Sequence, residues 1–446
     1  MAVRKFTWLL AGVLFLGAAP LCSAQSFFLK KGDVVVVMGD SITEQRLYSN
    51  YLELWSQTRF PSHNLVFRNV GIGGDRSTGG NSRFKRDVLP FKPTVLTVDF
   101  GMNDGNYWWV GKMAGKKTIA QADIDAAYGT YMKGLQGIAD QAKAANIRVA
   151  WVTPQPVENN PGDPNEMYNP TLGRFSDGVN EIAKKNDGLF ADQFHPYWAV
   201  IQKARDAGEK GRITGGDAVH PGPPGQALMA ASILKAMHFP REVSSVSIVV
   251  GGDVKFKNCK IDGLTAGGGN AATSVKFTRE DASLPFFPMD DPKRKPTDQP
   301  STILKWTRML EEMNDYGLLV KGLAEGKYEV RLGGKKIAEH SDKELAKGVN
   351  LAAAALTAGP VADQIKDVVK AVDAKTNYYH DQIYSPLVLG RNLAKNPDFK
   401  DVAKEDVAKR RSALIEERMQ KMPELDAAIR KALEPRSRLV EIVPAK

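Results

Sequence analysis

Val34-Val35-Val36-Val37-Met38-Gly39-Asp40-Ser41-Ile42-Thr43 decides the fold. Its first five residues are apolar without a break and mostly β-branched. A strand of that kind has no polar face, so it must be covered on both sides, which is the condition of a parallel strand inside an α/β sheet. The run stops at Gly39-Asp40-Ser41, where the chain turns sharply and a hydroxyl is delivered at the strand's carboxyl end. Open α/β sheets bind their ligands at that rim. Ser41 is therefore the first candidate functional residue.

Working outward, strand-like apolar runs recur at 65–69, 95–100, 148–153 and 188–192, alternating with helix-like segments. Residues 122–145 carry apolar side chains at helical spacing, and 224–238 reads as a closing helix with proline at its start. The alternation predicts a parallel sheet with helices on both faces. Three further short segments fall at strand ends or helix starts: Gly73-Gly74-Asp75, Gly101-Met102-Asn103-Asp104 and Asp217-Ala218-Val219-His220-Pro221. Each alone is ordinary turn chemistry. In this order, behind Gly39-Asp40-Ser41-Ile42-Thr43, the set resembles blocks I, II, III and V of the SGNH (GDSL-type) hydrolases, serine esterases that deacylate lipids, thioesters and acetylated sugars. The resemblance covers roughly residues 33–238, under half of the chain. It implies a flavodoxin-like doubly wound parallel sheet, the SGNH hydrolase fold, and chemistry that needs no cofactor.

A serine hydroxyl is a weak nucleophile until a base takes its proton, so Ser41 needs a histidine in reach. His220 is the first choice, since it leads through Pro221 and Gly222-Pro223-Pro224-Gly225 into the closing helix, as block V does in the family. Asp217, three residues earlier, can hold the other imidazole nitrogen. By the same resemblance the backbone amides of Ser41 and Gly74 and the side-chain amide of Asn103 form an oxyanion hole. Asp40, adjacent to the nucleophile, is expected to hold the turn through loop amides. The sequence also contains a decoy: Asp192-Gln193-Phe194-His195-Pro196 repeats the Asp-x-x-His-Pro spacing. Its expected role is local, with Asp192 capping a helix that begins near Pro196 and His195 on the surface. Tyr107, Trp108 and Trp109 follow Asn103 closely. Trp108 and Trp109 are candidate substrate-binding residues as a sugar-stacking platform, against the commoner fate of aromatics in a core. No His/Cys/Asp group has metal-ligand spacing, so no metal is expected.

The chain has 446 residues, 43% hydrophobic and 25% charged, enough for two or three domains. Its first 24 residues have a basic start, an apolar stretch and small residues at Ser23 and Ala24, the layout of a cleaved secretory signal peptide. Export to the periplasm or the medium is the expectation. Cys22 lies in that leader, which leaves Cys259 without a disulfide partner, as a small buried hydrophobe. A net charge of +10 favours anionic surfaces or acidic polymers, but no basic tract is interleaved with aromatics as nucleic-acid binding requires.

The expected organisation is a hydrolase domain over 25–242, a β-rich accessory module over 243–345 and a helical C-terminal region over 346–446. The module rests on strand-like runs at 246–250, 254–261 and 274–278 and on a hairpin signal at Gly333-Gly334. Residues 288–300, rich in proline and lysine, read as a mobile loop. Val361, Ile365, Val368 and Val372 form a helical stripe that would pack on a neighbour, with the helices lying on the hydrolase domain or forming an arm. The expected function is an exported serine esterase acting on short-chain, acetyl esters of carbohydrate. The alternatives are a lysophospholipase or arylesterase, and a cell-envelope glycan-binding protein.

Overall fold

Strand β1 (Val34–Gly39) has apolar residues on both faces and is covered on both. Val35 and Val37 pack with Leu52, Trp55 and Ala227, while Val36 and Met38 pack with Phe84, Tyr131 and Ile138. The computed structural model describes residues 26–106, 120–158, 168–269 and 271–445. The expected leader and the candidates Trp108 and Trp109 lie outside the described residues. Beside β1, β2 (Val66–Asn69), β3 (Val95–Asp99), β4 (Arg148–Val152) and β5 (Leu189–Ala191) complete a parallel sheet in the order β2-β1-β3-β4-β5. This is the flavodoxin-like order, which reverses direction between β1 and β3 and opens a crevice there.

Among the described residues seven helices follow the strands: α1 (Ser41–Glu44), α2 (Leu47–Arg59), α3 (Ser77–Asp87), α4 (Gln121–Ala144), α5 (Asn169–Lys185), α6 (Phe194–Asp206) and α7 (Pro223–Ala236). The residues of α2, α6 and α7 join the core on one face of the sheet, and those of α3, α4 and α5 the core on the other. Gly39 ends β1 because nothing larger fits: a Cβ there would lie 2.1 Å from Thr43 Oγ1 and 2.6 Å from the Asp99 carbonyl. The tight turn that presents Ser41 follows from that contact.

The remaining strands are β6 (Glu242–Val249), β7 (Val254–Lys257), β8 (Cys259–Gly268), β9 (Ala272–Asp281), β10 (Asp315–Lys321), β11 (Lys327–Leu332), β12 (Lys335–Ser341), β13 (Val349–Asn350) and β14 (Ser437–Pro444). They build two sheets, ordered β13-β10-β6-β7 and β12-β11-β14-β9-β8. Gly333 and Gly334, at φ 56° and 79°, make the tight turn between β11 and β12. The run 254–261 is broken at Asn258, whose φ of 51° ends β7 and starts β8.

The helical reading of 346–446 needs a correction. It contains α10 (Ala352–Thr357), α11 (Pro360–Tyr378), α12 (Val407–Met419) and α13 (Met422–Ala432), after α8 (Met309–Met313) and α9 (Asp342–Lys347). Its last strand, β14, nevertheless runs between β11 and β9 in the centre of the second sheet. Leu439-Val440-Glu441-Ile442-Val443 is largely apolar and β-branched, and its burial alternates along the strand, but the partners that make it a strand lie more than a hundred residues upstream.

Helix α11 packs on α2, beside the parallel sheet. Val361, Ile365, Val368 and Val372 are all buried. Two ion pairs cross the same seam: Lys375 Nζ with Glu53 at 2.5 Å, and Arg68 with Asp426 at 3.1 and 2.6 Å. Removing one partner of such a buried pair strands the other charge, so these contacts make the seam specific even where their net stabilisation is small. Residues 288–300 are bonded within themselves and, through Asp298, to the Gly216 amide at 3.3 Å. The Asp291 amide donates to Gln299 Oε1 at 2.8 Å, and Arg294 pairs with Asp298 at 3.1 Å.

Candidate active site

The turn after β1 is held from within. Asp40, 3% exposed, caps α1 by accepting the Ile42 amide at 2.9 Å. With its neighbour occupied below the rim, Ser41 projects upward, and its Oγ lies 2.9 Å from His220 Nε2. The opposite ring nitrogen, Nδ1, faces Asp217 at 3.1 Å from Oδ2 and 3.3 Å from Oδ1. Asp217 Oδ1 also accepts the amides of His220 at 2.7 Å and Val219 at 2.8 Å. Partial burial would raise the Asp217 carboxyl, but these two amides and the imidazole outweigh it and hold the group below its ordinary value. Asp217 is thus an anion placed to orient His220.

The loop carrying His220 has no strand beneath it and is shaped by close backbone approach. A Cβ on Gly216, at φ 62°, would sit 2.1 Å from the His220 carbonyl. Asp298, 82 residues downstream, accepts the Gly216 amide at 3.3 Å and occupies the space that side chains at Gly215 and Gly222 would fill. At the start of α7, Gln226 donates to the Pro221 carbonyl at 3.0 Å and accepts the Tyr48 amide at 2.9 Å. His220 is thereby referenced to α2 and, through α2, to Ser41.

Opposite His220, Ile72 to Asp75 form a turn closed by the Asp75 amide on the Ile72 carbonyl at 3.2 Å. Gly74 holds φ 77° at its third position, the type II arrangement that favours glycine. The Gly74 amide bonds to no described residue. The Ser41 amide opens α1, where an N–H has no partner within the helix. Asn103, 3% exposed on the turn after β3, donates from Nδ2 to the Asp75 carbonyl at 2.9 Å and to Asp40 Oδ2 at 3.3 Å. Among the described residues the Ser41 and Gly74 amides thus have no bonding partner, and the Asn103 side-chain amide has two, the longer of them to Asp40. Burial pushes the Asp40 carboxyl up to about 7, against the Ile42 amide and with Asp104 and Asp75 adding. Burial likewise lifts Asp104 to about 6, against the bonds from Ser77. Burial thus makes both carboxyls beneath the rim weaker acids than exposed ones.

Asp192 accepts the His195 amide at 3.2 Å and faces His195 Nδ1 at 2.8 Å. It stands one residue ahead of the N-cap, Gln193, so it serves the first turn of α6 without being its cap. The His195 ring is brought to no other site residue.

The sequence reading missed Glu44, Arg391, His380 and Asp298. Glu44 accepts the Gly73 amide at 2.6 Å and is paired with Arg391 and His380. Its place three residues after Ser41 was a usable signal. Its partners lie more than three hundred residues away, beyond the reach of any local pattern. Among the described residues no group of His, Cys, Asp or Glu could hold a metal ion, and no helix is long and apolar enough to cross a membrane.

Residues 37–228 match the model of the GDSL-like Lipase/Acylhydrolase family. The chain is 22% identical over 223 residues to an acetylxylan esterase of Geobacillus stearothermophilus, which covers 47% of this chain and 95% of that protein. Among solved structures it is similar to a gut microbial diltiazem-metabolizing enzyme, with 24% identity, a TM-score of 0.79, and coverage of 95% of this chain and 100% of that one. It is also similar to the acetylxylan esterase Axe2 from Geobacillus stearothermophilus, with 21% identity, a TM-score of 0.40, and coverage of 48% and 97%. The first of these structures shares the fold over nearly the whole chain, accessory sheets included.

Proposed function

We propose that this member of the GDSL-like lipase/acylhydrolase family, a carboxylic ester hydrolase, removes short acyl groups, acetyl above all, from carbohydrate by acyl transfer to Ser41. The observation that carries the reading is the line from Asp217 through His220 to Ser41 Oγ, 2.9 Å from Nε2. In the first step His220 Nε2 takes the Ser41 proton as Oγ attacks the ester carbonyl, and Asp217 stabilises the imidazolium that forms. The carbonyl oxygen, now an anion, meets the amides of Ser41 and Gly74 and the Asn103 side chain, which exchanges its 3.3 Å bond to Asp40 for it. His220 then returns the proton to the leaving alcohol oxygen. Water repeats the sequence on the acyl-enzyme and releases the acid.

A general acid faces its leaving group, so the alcohol half of the ester belongs on the His220 side. A cavity of about 450 Å³ lies there, lined by His220, Asp217, Gln45 and Arg294 among others. It shares Leu47, Pro223 and Arg294 with a second of about 540 Å³ that reaches Tyr51, Phe286 and Lys370. That room, lined by Tyr51 together with the polar Asp290, Asp291 and Lys370, supports a carbohydrate alcohol of more than one ring. The similarity to an acetylxylan esterase supports the same substrate class. The leader-like first 24 residues support action outside the cytoplasm.

The test is acetate release from an acetylated polysaccharide, beside fatty-acid release from lysophospholipid, by wild type and Ser41→Ala. Wild type should prefer the acetylated glycan and be labelled by a serine-reactive fluorophosphonate. Ser41→Ala should do neither. Preference for lysophospholipid would replace the carbohydrate reading with a lipid one.

A further inference from the structure

We propose that Glu44, clamped from behind by Arg391 and His380, is a positioning residue that holds the Gly73-Gly74 turn in its working form, so that the C-terminal region completes the site. The inference rests on the reading of the Gly74 amide as an oxyanion donor. Glycine at both central positions leaves the turn little steric restraint of its own. The closing bond from Asp75 to Ile72 joins its ends but does not set where it sits against α1. Among the described residues one bond ties the glycine pair to α1: the Gly73 amide, of the Ile72–Gly73 peptide, on Glu44 Oε2 at 2.6 Å.

The fit is close on each side of that bond. A Cβ on Gly73 would lie 3.0 Å from Glu44 Oε2 and 3.9 Å from Ser41 Cβ. Glu44 is the last residue of α1, the helix that Ser41 opens, so one carboxylate ties the nucleophile's helix to the opposite turn. A glutamate side chain has free torsions and holds such a position only if it is held in turn. Arg391 does this with two guanidinium nitrogens, one of them at 3.3 Å, and His380 Nε2 stands 3.5 Å away. Burial would raise the Glu44 carboxyl, but His380, Arg391 and the Gly73 amide outweigh it and pull the group down to about 2. Arg391 also balances a negative charge that would otherwise oppose an oxyanion forming one residue further along.

The clamp comes from an unusual element. Residues Tyr379–Val388 are π-helical, a geometry that recurs at functional sites. The segment carries His380 and also Tyr384, whose hydroxyl reaches the Val70 carbonyl at 3.0 Å. Tyr384 lies 3.2 Å from Arg83, which donates to the Gly39 carbonyl at 3.1 Å and to Asp75 at 2.7 Å. One stretch far outside residues 37–228 therefore backs both the serine turn and the glycine turn.

The test compares kcat, KM and thermal midpoint of Arg391→Gln, Arg391→Lys, Glu44→Gln and Arg391→Gln/Glu44→Gln on an aryl acetate. Arg391→Gln should lower kcat on the order of ten-fold, short of the 10² to 10³ that deleting a donor costs, with KM within about two-fold. Its midpoint should not move, since the Arg391 side chain is 40% exposed. Arg391→Lys should recover most of the loss, because an ammonium still pairs with one carboxylate oxygen. The double variant should be no worse than the poorer single one, as expected for residues acting through one path. Wild-type kcat in Arg391→Gln, a loss confined to KM, or additive losses in the double variant would overturn the inference. Ser41→Ala separates the layers: if it is inactive while Arg391→Gln is unaffected, the clamp alone fails. If Ser41→Ala stays active, the site reading fails and takes the clamp with it.

Discussion

Asp192-Gln193-Phe194-His195-Pro196 and Asp217-Ala218-Val219-His220-Pro221 build nearly the same local object. In each, the aspartate accepts the histidine amide, at 3.2 and 2.7 Å, and faces Nδ1 at 2.8 and 3.1 Å. Three-residue spacing is enough to turn an imidazole and fix one nitrogen. The two differ in what the other nitrogen meets. The His195 side chain is 62% exposed and packs edge-on against Phe194, whereas the His220 side chain is 28% exposed and ends on Ser41 Oγ. His195 follows β5, three strands from β1, or about 14 Å at ~4.8 Å per strand. His220 follows no strand. Its loop is carried back over the rim by Gln155 on the Val219 carbonyl at 3.1 Å, the Glu158 amide on the Ala218 carbonyl at 3.2 Å, and Asp298. An oriented histidine is a local product, and a base is a histidine that tertiary structure has brought to a nucleophile.

That contrast can be broken most directly by deleting each ring. His220→Ala should lose 10⁴-fold or more in kcat on an acetyl ester, while His195→Ala stays within about two-fold. Steady-state kinetics showing a dead His195→Ala beside an active His220→Ala would reverse the assignment of the pair. The next effect concerns the carboxylates. Asp217→Asn should cost between roughly 10² and 10⁴ in kcat, because the amide supports the wrong tautomer, whereas Asp192→Asn should cost nothing measurable. Equal losses would mean that the two dyads share a role.

Asp298→Ala sharpens the comparison by loosening only the tertiary latch. Loss of one bond, of about 1 kcal/mol, predicts a roughly five-fold fall in kcat/KM with Ser41 and His220 intact. An unchanged value would show that Gln155 and Gln226 suffice to hold the loop. The smallest effect is on stability. The Asp217 carboxyl is lowered in the folded chain, so its contribution is present above the unfolded value of about 3.9 and is lost as pH falls through the lower folded value. The thermal midpoint of wild type should therefore exceed that of Asp217→Asn slightly at pH 7, and the gap should close well below pH 4. A gap that widened in acid would contradict the direction of the shift.

Much of the hydrolase half was legible because its signals are local. A continuous apolar run such as Val34 to Met38 specifies a strand buried on both faces, and Gly39 and Gly74 are needed for reasons of space and φ that nearby residues impose. The candidate trio of Ser41, Asp217 and His220 could be named from short segments in order. The distances between its members could not, since Ser41 and His220 are 179 residues apart. The accessory part was read less well. Strand β14 looks like the end of a helical region until β9 and β11 are found on either side of it, and 288–300 looks loose until Asp298 is seen against Gly216.

By itself the sequence determined the elements whose cause is local: the parallel strands, the sharp turn at Ser41, the two oriented histidines and the helical stripe on α11. Only the tertiary structure decided which histidine reaches Ser41, that Asn103 bridges Asp40 and Asp75, that β14 closes the second sheet, and that Arg391 and His380 stand behind Glu44. The physical reason is range. Propensity, spacing and steric need act over a few residues and leave their mark in the pattern. A hydrogen bond or ion pair between distant segments constrains only its two ends, and nothing in the intervening chain records that they will meet.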